Sequence, residues 1–276
     1  MPMETNAFAD SLATEAQGPR EMQVTAPSYV APPGALAERP ERSGVRESRH
    51  LAAFKQDLRR HLASRAVVVI EPVLGGVLKR LFDIAAASAG LILLSPLFLV
   101  VACIMRMQDG GSIFYGQWRM GYGGRPFRCW KFRSMVLDAD KRLFEHLRDN
   151  PEAASEWRAT QKLKMDPRVT PLGAMLRKTS LDELPQLLNI LLGEMSVVGP
   201  RPVVHDELTR FGASMRHYVR CRPGLTGLWQ VSGRSQTTYQ KRVELDRRYV
   251  ATWSLMKDFG IILRTGPALL FSRGAY

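Results

Sequence analysis

From Ile84 to Met105 the chain runs 22 residues without a charge. As a helix this run reaches about 33 Å at ~1.5 Å per residue, enough to cross the core of a bilayer. Ser95-Pro96 sits in its middle, and proline there removes a backbone hydrogen bond and bends the helix. Two arrangements follow: a kinked helix that spans, and a helix that enters, bends and returns to the same face. A spanning helix carries its Lys/Arg excess on one flank. Here Arg65, Lys79 and Arg80 precede the run, and Arg106, Arg119 and Arg125 follow it. Balanced cations favour the returning arrangement. In that case the Ser95 hydroxyl is a candidate partner for the carbonyl freed by Pro96. Asp83, at the membrane edge, is expected to pair with Lys79 or Arg80 and anchor the entry.

Beyond the apolar run the pattern changes. Ser112–Trp118 and Pro126–Met135 read as strands joined by Gly121-Tyr122-Gly123-Gly124, a hairpin. Lys131 and Arg133 alternate with Phe132 and share one face. Helices are expected over 137–149 and 152–164, a break at Asp166-Pro167-Arg168, and a short helix over 171–178. Met195–Val198 reads as a short strand ending in the turn Gly199-Pro200-Arg201-Pro202. A second loop, Arg222-Pro223-Gly224-Leu225-Thr226-Gly227, leads to Trp229-Gln230 and Gly233-Arg234. Glycine permits close backbone approach to a ligand, and arginine binds phosphate bidentately. Each loop alone is an ordinary turn; two together make Arg201, Arg222, Gly224, Thr226 and Gly227 candidate binding residues. Residues 253–271 are apolar, and Trp253, Met256, Phe259, Ile262 and Leu263 can share a face, as in a core helix or one lying on a membrane surface; the second is preferred. Upstream, residues 1–50 hold six prolines and little apolar periodicity and read as a disordered extension; 51–66 can form a short basic helix, and Gly75-Gly76 a hinge.

The net charge of +13 sharpens this reading. Residues 1–75 hold 9 basic and 9 acidic residues, so the excess lies wholly in the remaining 30 basic and 17 acidic ones. Such a surface suits anionic lipid or phosphorylated small molecules. No zinc finger, basic zipper or aromatic RNA platform is present, which argues against nucleic acid. Cys103, Cys129 and Cys221 form no CxxC pattern and imply no disulfide framework, and the polar N-terminus reads as no signal peptide.

The chemistry concentrates at 176–186, Leu-Arg-Lys-Thr-Ser-Leu-Asp-Glu-Leu-Pro-Gln. Ser180 to Glu183 fits a capping box, but Pro185 would then fall inside the helix, where it is costly. A helix starting near Pro185 fits better, with Leu187, Leu188, Leu191 and Leu192 buried and Gly193 as its stop. Asp182 and Glu183 then occupy the turn entering that helix, led in by Arg177 and Lys178. Backbone N–H groups at such a start favour an anion. An acid pair beside cations can attack or coordinate a phosphoryl group.

KRLFD (79–83), the apolar run with Ser-Pro, GQWRMGYGGRPFRCWKFRSM (116–135), DPRVTPLG (166–173), LRKTSLDELPQL (176–187), MSVVGPRP (195–202) and RPGLTGLWQVSGR (222–234) occur in the order seen in one family. Over about 77–271 the chain resembles the bacterial sugar transferases, the monotopic polyprenyl-phosphate phosphoglycosyl transferases, of the short exopolysaccharide-initiating type. The resemblance implies transfer of a sugar 1-phosphate from a UDP-sugar to undecaprenyl phosphate with release of UMP, at the cytoplasmic face of the bacterial inner membrane. It implies Asp182 as nucleophile and Glu183 as acid/base or Mg²⁺ ligand; Asp182 is the other candidate metal ligand. Lys131 and Arg177 match active-site positions; Arg133 is expected beside them on the substrate side, and Arg201 with the 222–227 loop is expected to serve the nucleotide or phosphate. Galactose or glucose is the expected sugar, with an N-acetylated sugar as the other option. Anionic lipid is an expected partner, and a homo-oligomer is left open. A catalytically silent membrane scaffold is the competing reading; it needs neither the acid pair nor the cationic loops.

The expected architecture is thus α+β, mainly helical. An N-terminal extension (1–75) precedes a re-entrant membrane helix hairpin (76–107). A cytoplasmic catalytic domain (108–276) follows, with a small β-hairpin and interfacial helices.

Overall fold

The computed structural model describes residues 72–160, 162–204, 207–233 and 237–270. The extension expected over 1–50, the basic helix over 51–66 and Arg234 lie outside them.

The apolar run forms one helix, α1 (Gly76–Asp109), of 34 residues with Pro96 inside it. At ~1.5 Å per residue it is about 51 Å long, and it is long and apolar enough to cross a membrane. Pro96 has no N–H for the carbonyl of Ile92, four residues earlier. The Ser95 hydroxyl donates to that carbonyl at 2.8 Å, as expected from the Ser-Pro pair. Most of α1 faces outward, with Ile92, Leu93, Leu99 and Val100 exposed. A narrow stripe faces inward along nearly the whole helix. Ala87, Leu91 and Leu94 pack with Phe127, Leu187, Ile190 and Met195. Leu97, Phe98, Val101 and Met105 pack with Phe132, Leu172, Leu176, Leu181 and Leu184.

Strands β1 (Phe114–Met120) and β2 (Pro126–Phe132) form the expected antiparallel hairpin, with Gln117 opposite Cys129 and Phe114 opposite Phe132. Helices α2 (Ala139–Asp149), α3 (Pro151–Thr160) and α4 (Pro171–Thr179) follow. Thr170 caps α4 by accepting the Gly173 N–H at 2.9 Å, with Pro171 at the first helical position. Helix α4 ends at Ser180, whose φ of 58° is left-handed. A 3₁₀ turn, Leu181–Glu183, leads into α5 (Gln186–Leu192), which stops at Gly193 with φ 83°.

The inward face of α5 is not the one its leucines suggest. Gln186, Leu187, Asn189 and Ile190 are buried, whereas Leu188 and Leu192 are exposed. Asn189 decides the rotation. Its Oδ1 accepts the Trp130 N–H at 3.0 Å and its Nδ2 donates to the Arg128 carbonyl at 2.7 Å. The side-chain amide thereby satisfies the free edge of β2 as another strand would.

Strand β3 (Ser196–Val198) pairs in parallel with β4 (Gly224–Thr226), a segment expected to be loop. Short helices α6 (Leu208–Phe211) and α7 (Met215–Tyr218) lie between them. Helix α8 (Tyr239–Ala251) and helix α9 (Leu255–Leu270) complete the chain's described part. The α9 face with Asp258 and Ile261 is buried, while Met256, Phe259 and Leu263 form an exposed apolar stripe. The architecture is mainly helical, with two two-stranded sheets among the described residues.

Candidate active site

The start of α1 is held by buried charge. Lys79 Nζ donates to Asp258 of α9 at 2.7 Å and lies 3.7 Å from Asp83. Asp258 also accepts from the Tyr249 hydroxyl at 2.8 Å and the Trp253 indole at 3.1 Å. Asp83 accepts from the Ser196 hydroxyl and the Val197 N–H, both at 3.0 Å. Arg80 does not take the acid but donates to the carbonyls of Ile190 and Leu191 at the end of α5. Arg222 donates to the Gly193 carbonyl at 2.8 Å beside it. Two guanidiniums thus cover the C-terminal carbonyls of α5, where the helix dipole favours cations.

At the other end of α5 lies the acid pair. On β2, Lys131 has the same parity as buried Phe127 and Cys129 and points to the 3₁₀ turn. Its ammonium bonds Glu183 at 2.6 Å and lies 3.6 Å from Asp182. Arg177 donates to the Ser134 hydroxyl at 2.8 Å and adds positive charge beside Asp182. Arg119 and Arg201 add theirs beside Glu183. Four cations therefore surround two adjacent carboxylates.

The two acids are tuned apart. Burial raises Asp182 above the usual carboxylate value; Lys131 opposes that, and the Glu183 charge adds to it. Burial also acts to raise Glu183, but the coulombic pull of Lys131 and its direct hydrogen bond outweigh it, and Glu183 is lowered. Burial disfavours the Lys131 cation, yet the two acids hold it above its ordinary value. Glu183 is thus the firm anion of the pair and Asp182 the more basic oxygen, the separation expected when two carboxyls take different roles.

Among the described residues no group of three or more His, Cys, Asp or Glu gathers to hold a metal. Two hard carboxylates do suit Mg²⁺, which commonly takes one or two protein carboxylates and fills its shell with water and substrate phosphate.

The other expected site residues are placed differently. Arg133 follows the end of β2 and bonds Asp109 at the end of α1, so the shared face with Lys131 stops at the strand end. Gly224 and Gly227 serve packing: a Cβ on Gly224 would lie 2.1 Å from the Gly199 nitrogen, and one on Gly227 2.2 Å from the Gly199 oxygen. The Thr226 hydroxyl meets that of Thr265 at 2.8 Å, tying β4 to α9. Sequence reasoning missed Arg119, Asn189 and Asp258. The signal for Asn189 was a lone polar residue inside an apolar pattern, and for Asp258 the single acid of an apolar segment.

Residues 74–272 match the family described as bacterial sugar transferase. The chain belongs to that family. It is 56% identical over 207 residues to the exopolysaccharide production protein ExoY of Rhizobium meliloti, covering 75% of this chain and 91% of the relative. It is 48% identical over 199 residues to the undecaprenyl-phosphate galactose phosphotransferase of Salmonella typhimurium, covering 72% of this chain and 42% of that relative. It is 41% identical over 211 residues to the UDP-glucose:undecaprenyl-phosphate glucose-1-phosphate transferase of Klebsiella pneumoniae, again 72% of this chain and 42% of the relative.

Proposed function

We propose that this sugar transferase moves a sugar 1-phosphate, galactose or glucose, from a UDP-sugar to undecaprenyl phosphate in two displacements. The observation that carries the reading is the Asp182–Lys131–Glu183 cluster, ringed by Arg177, Arg119 and Arg201 and seated beside the membrane helix. In the first displacement an Asp182 oxygen attacks the phosphorus that bears the sugar. The bond from that phosphorus to the bridging oxygen breaks, and UMP leaves with the electron pair. In the second, a phosphate oxygen of undecaprenyl phosphate attacks the same phosphorus and expels Asp182. Raised basicity makes Asp182 the better nucleophile of the pair. Glu183 stays anionic and fixes Lys131, whose charge offsets the repulsion between carboxylate and diphosphate. Asp182 and Glu183 are the residues that would hold Mg²⁺; when bound, it supplies further neutralisation of phosphate charge.

The surroundings support a site at a membrane surface, and we take that surface to be the cytoplasmic one. Helix α1 packs against one and the same domain from Lys79 to Met105. A straight spanning helix with that contact would drag the polar domain into hydrocarbon, at a steep desolvation cost. A helix that enters and returns on one face avoids it, and the outward stripe of α9 suits the same surface.

The test is UMP release by purified protein given Mg²⁺, undecaprenyl phosphate and a panel of UDP-sugars. Release with one donor names the sugar. Asp182→Asn, nearly isosteric, is expected to abolish release while leaving folding and membrane association intact. Wild-type turnover in that variant would remove Asp182 from the reaction.

A further inference from the structure

One aromatic residue beside the acid pair is not used by the packing of the hairpin. Tyr115 stands directly opposite Lys131 in the register of β1 and β2. Alternation along the strands puts Tyr115, Gln117 and Arg119 on the face that carries Phe127, Cys129 and Lys131. Phe114 and Trp118 belong to the other face. There Phe114 stacks on Phe132 at 5.6 Å, and the Arg128 guanidinium lies 5.9 Å from the Trp118 ring centre. Tyr115 has no such role. It is 54% exposed, and its side chain makes no hydrogen bond or ring contact among the described residues.

The row Arg119–Gln117–Tyr115 is graded from charged to uncharged. At one end Arg119 donates to the Pro202 carbonyl at 2.9 Å, fastening the strand to the turn that carries Arg201. Both guanidiniums act on Glu183. In the middle, Gln117 Oε1 accepts from Arg119 Nη2 at 2.7 Å. A guanidinium offers only N–H donors, so the amide atom facing it is the oxygen, and the NH₂ of Gln117 is left as a donor. Tyr115 lies four residues from Arg119, roughly 13 Å along the strand. The next cation beyond it, Arg133, is already paired with Asp109. Residues directly opposite in an antiparallel pair have Cβ atoms about 4.5–5.5 Å apart. The Tyr115 ring therefore starts beside the lysine stem whose ammonium reaches Glu183 and Asp182.

That grading matches the two halves of a nucleotide sugar. A diphosphate calls for the cations at the Arg119 and Arg201 end. A hexose is uncharged, and ligand sites meet such groups with aromatic side chains and a few placed polar atoms. The bond from sugar to phosphorus breaks in neither displacement, so the sugar keeps one place beside the acids throughout. Galactose turns its axial hydroxyl to one face of the ring and leaves the other face apolar. Glucose divides its ring hydrogens between both faces. A flat aromatic platform therefore favours galactose.

Resting on the two-displacement reading above, we propose that Tyr115 and Gln117 form the sugar subsite of the donor. The Tyr115 ring stacks on the apolar face of the hexose, Gln117 Nε2 donates to a sugar hydroxyl, and the diphosphate lies toward Arg119 and Arg201. Tyr115 is a specificity-determining residue that shifts the donor preference toward galactose.

The experiment is calorimetric titration of the full chain in lipid nanodiscs with UDP, UDP-galactose and UDP-glucose. Every protein titrated carries Asp182→Asn, so that no donor is consumed. Tyr115→Ala removes the ring and Tyr115→Phe keeps it; both changes are also made with Asp182 intact for donor kinetics. UDP-galactose should bind more tightly than UDP. Tyr115→Ala should weaken UDP-galactose about tenfold, leave UDP unchanged, and lower the ratio of UDP-galactose to UDP-glucose affinity and of their kcat/KM values. Tyr115→Phe should keep the parent values. A folded Tyr115→Ala variant in which UDP-galactose is not weakened would overturn the assignment. So would equal weakening of UDP and UDP-galactose, which would make the ring part of the nucleotide site. Loss of binding to lipid vesicles with donor affinities intact would make Tyr115 a membrane-interface anchor and overturn it as well. A sugar-dependent affinity that needs Tyr115, in a chain that with Asp182 intact releases no UMP from any donor, would uphold the subsite and remove the transfer reading alone.

Discussion

Lys131 is the residue on which the acid pair depends, and its removal has a signed consequence. Asp182 must be ionised to attack, and burial already holds its carboxyl above the ordinary aspartate value of about 3.8. Because the folded state binds that proton more tightly than the unfolded chain, ionising Asp182 costs stability as pH rises from about 3.8 through the raised value. Glu183 is lowered, so its contribution is present above its unfolded value and disappears as pH falls through the folded one. Lys131→Met removes the ammonium that opposes both burial and mutual repulsion. Both acids move up, and the acid limb of the kcat profile shifts to higher pH, with activity at neutral pH falling at least tenfold. A pH profile of UMP release from the variant checks this; an unmoved acid limb would mean that Lys131 does not set the charge of Asp182.

At the scale of elements, the rotation of α5 is the point where sequence and structure part. The helix start near Pro185 and the stop at Gly193 are legible, because proline and glycine punctuate locally. The buried face is not, because Asn189 outweighs Leu188 and Leu192 through hydrogen bonds to β2, which periodicity does not encode. The same limit explains β4: Gly224–Thr226 looks like a loop until Gly199 lies against it backbone to backbone. Asn189→Leu keeps the branched shape, with bulkier methyl ends, and leaves the Trp130 N–H and the Arg128 carbonyl without that partner. Unmet buried groups cost about 1–3 kcal/mol each, and the expected result is a lower thermal midpoint with activity falling as α5 and the 3₁₀ turn that enters it loosen against β2. A midpoint equal to wild type would show that these edge groups find other partners.

Across the whole molecule, the apolar run, the hairpin and the acid pair announce themselves in the sequence because each is a local pattern. The pairing of Lys79 with Asp258, 179 residues apart, does not, although a single acid in an apolar segment marks the far partner. The course of α1 can be read from outside. With Cys103 replaced by serine, Cys129 and Cys221 are buried, and burial pushes the Cys129 thiol up to about 11, so background labelling is low. Val77→Cys and Met107→Cys, both at exposed positions, should react with an impermeant maleimide in inside-out vesicles and not in intact spheroplasts. Reaction of either from the spheroplast exterior would establish a crossing helix.

The stripe of α1 that faces inward has one further meaning. Ala87, Val101 and Met105 belong to the same clusters as Phe127, Phe132, Leu176 and Ile190, and Lys79 neutralises an acid buried in α9. The long apolar helix is therefore not a tether from which a separate enzyme hangs. It is one wall of the room in which the chemistry takes place, and cutting it away would unroof two hydrophobic clusters and strand Asp258 as an unpaired buried charge.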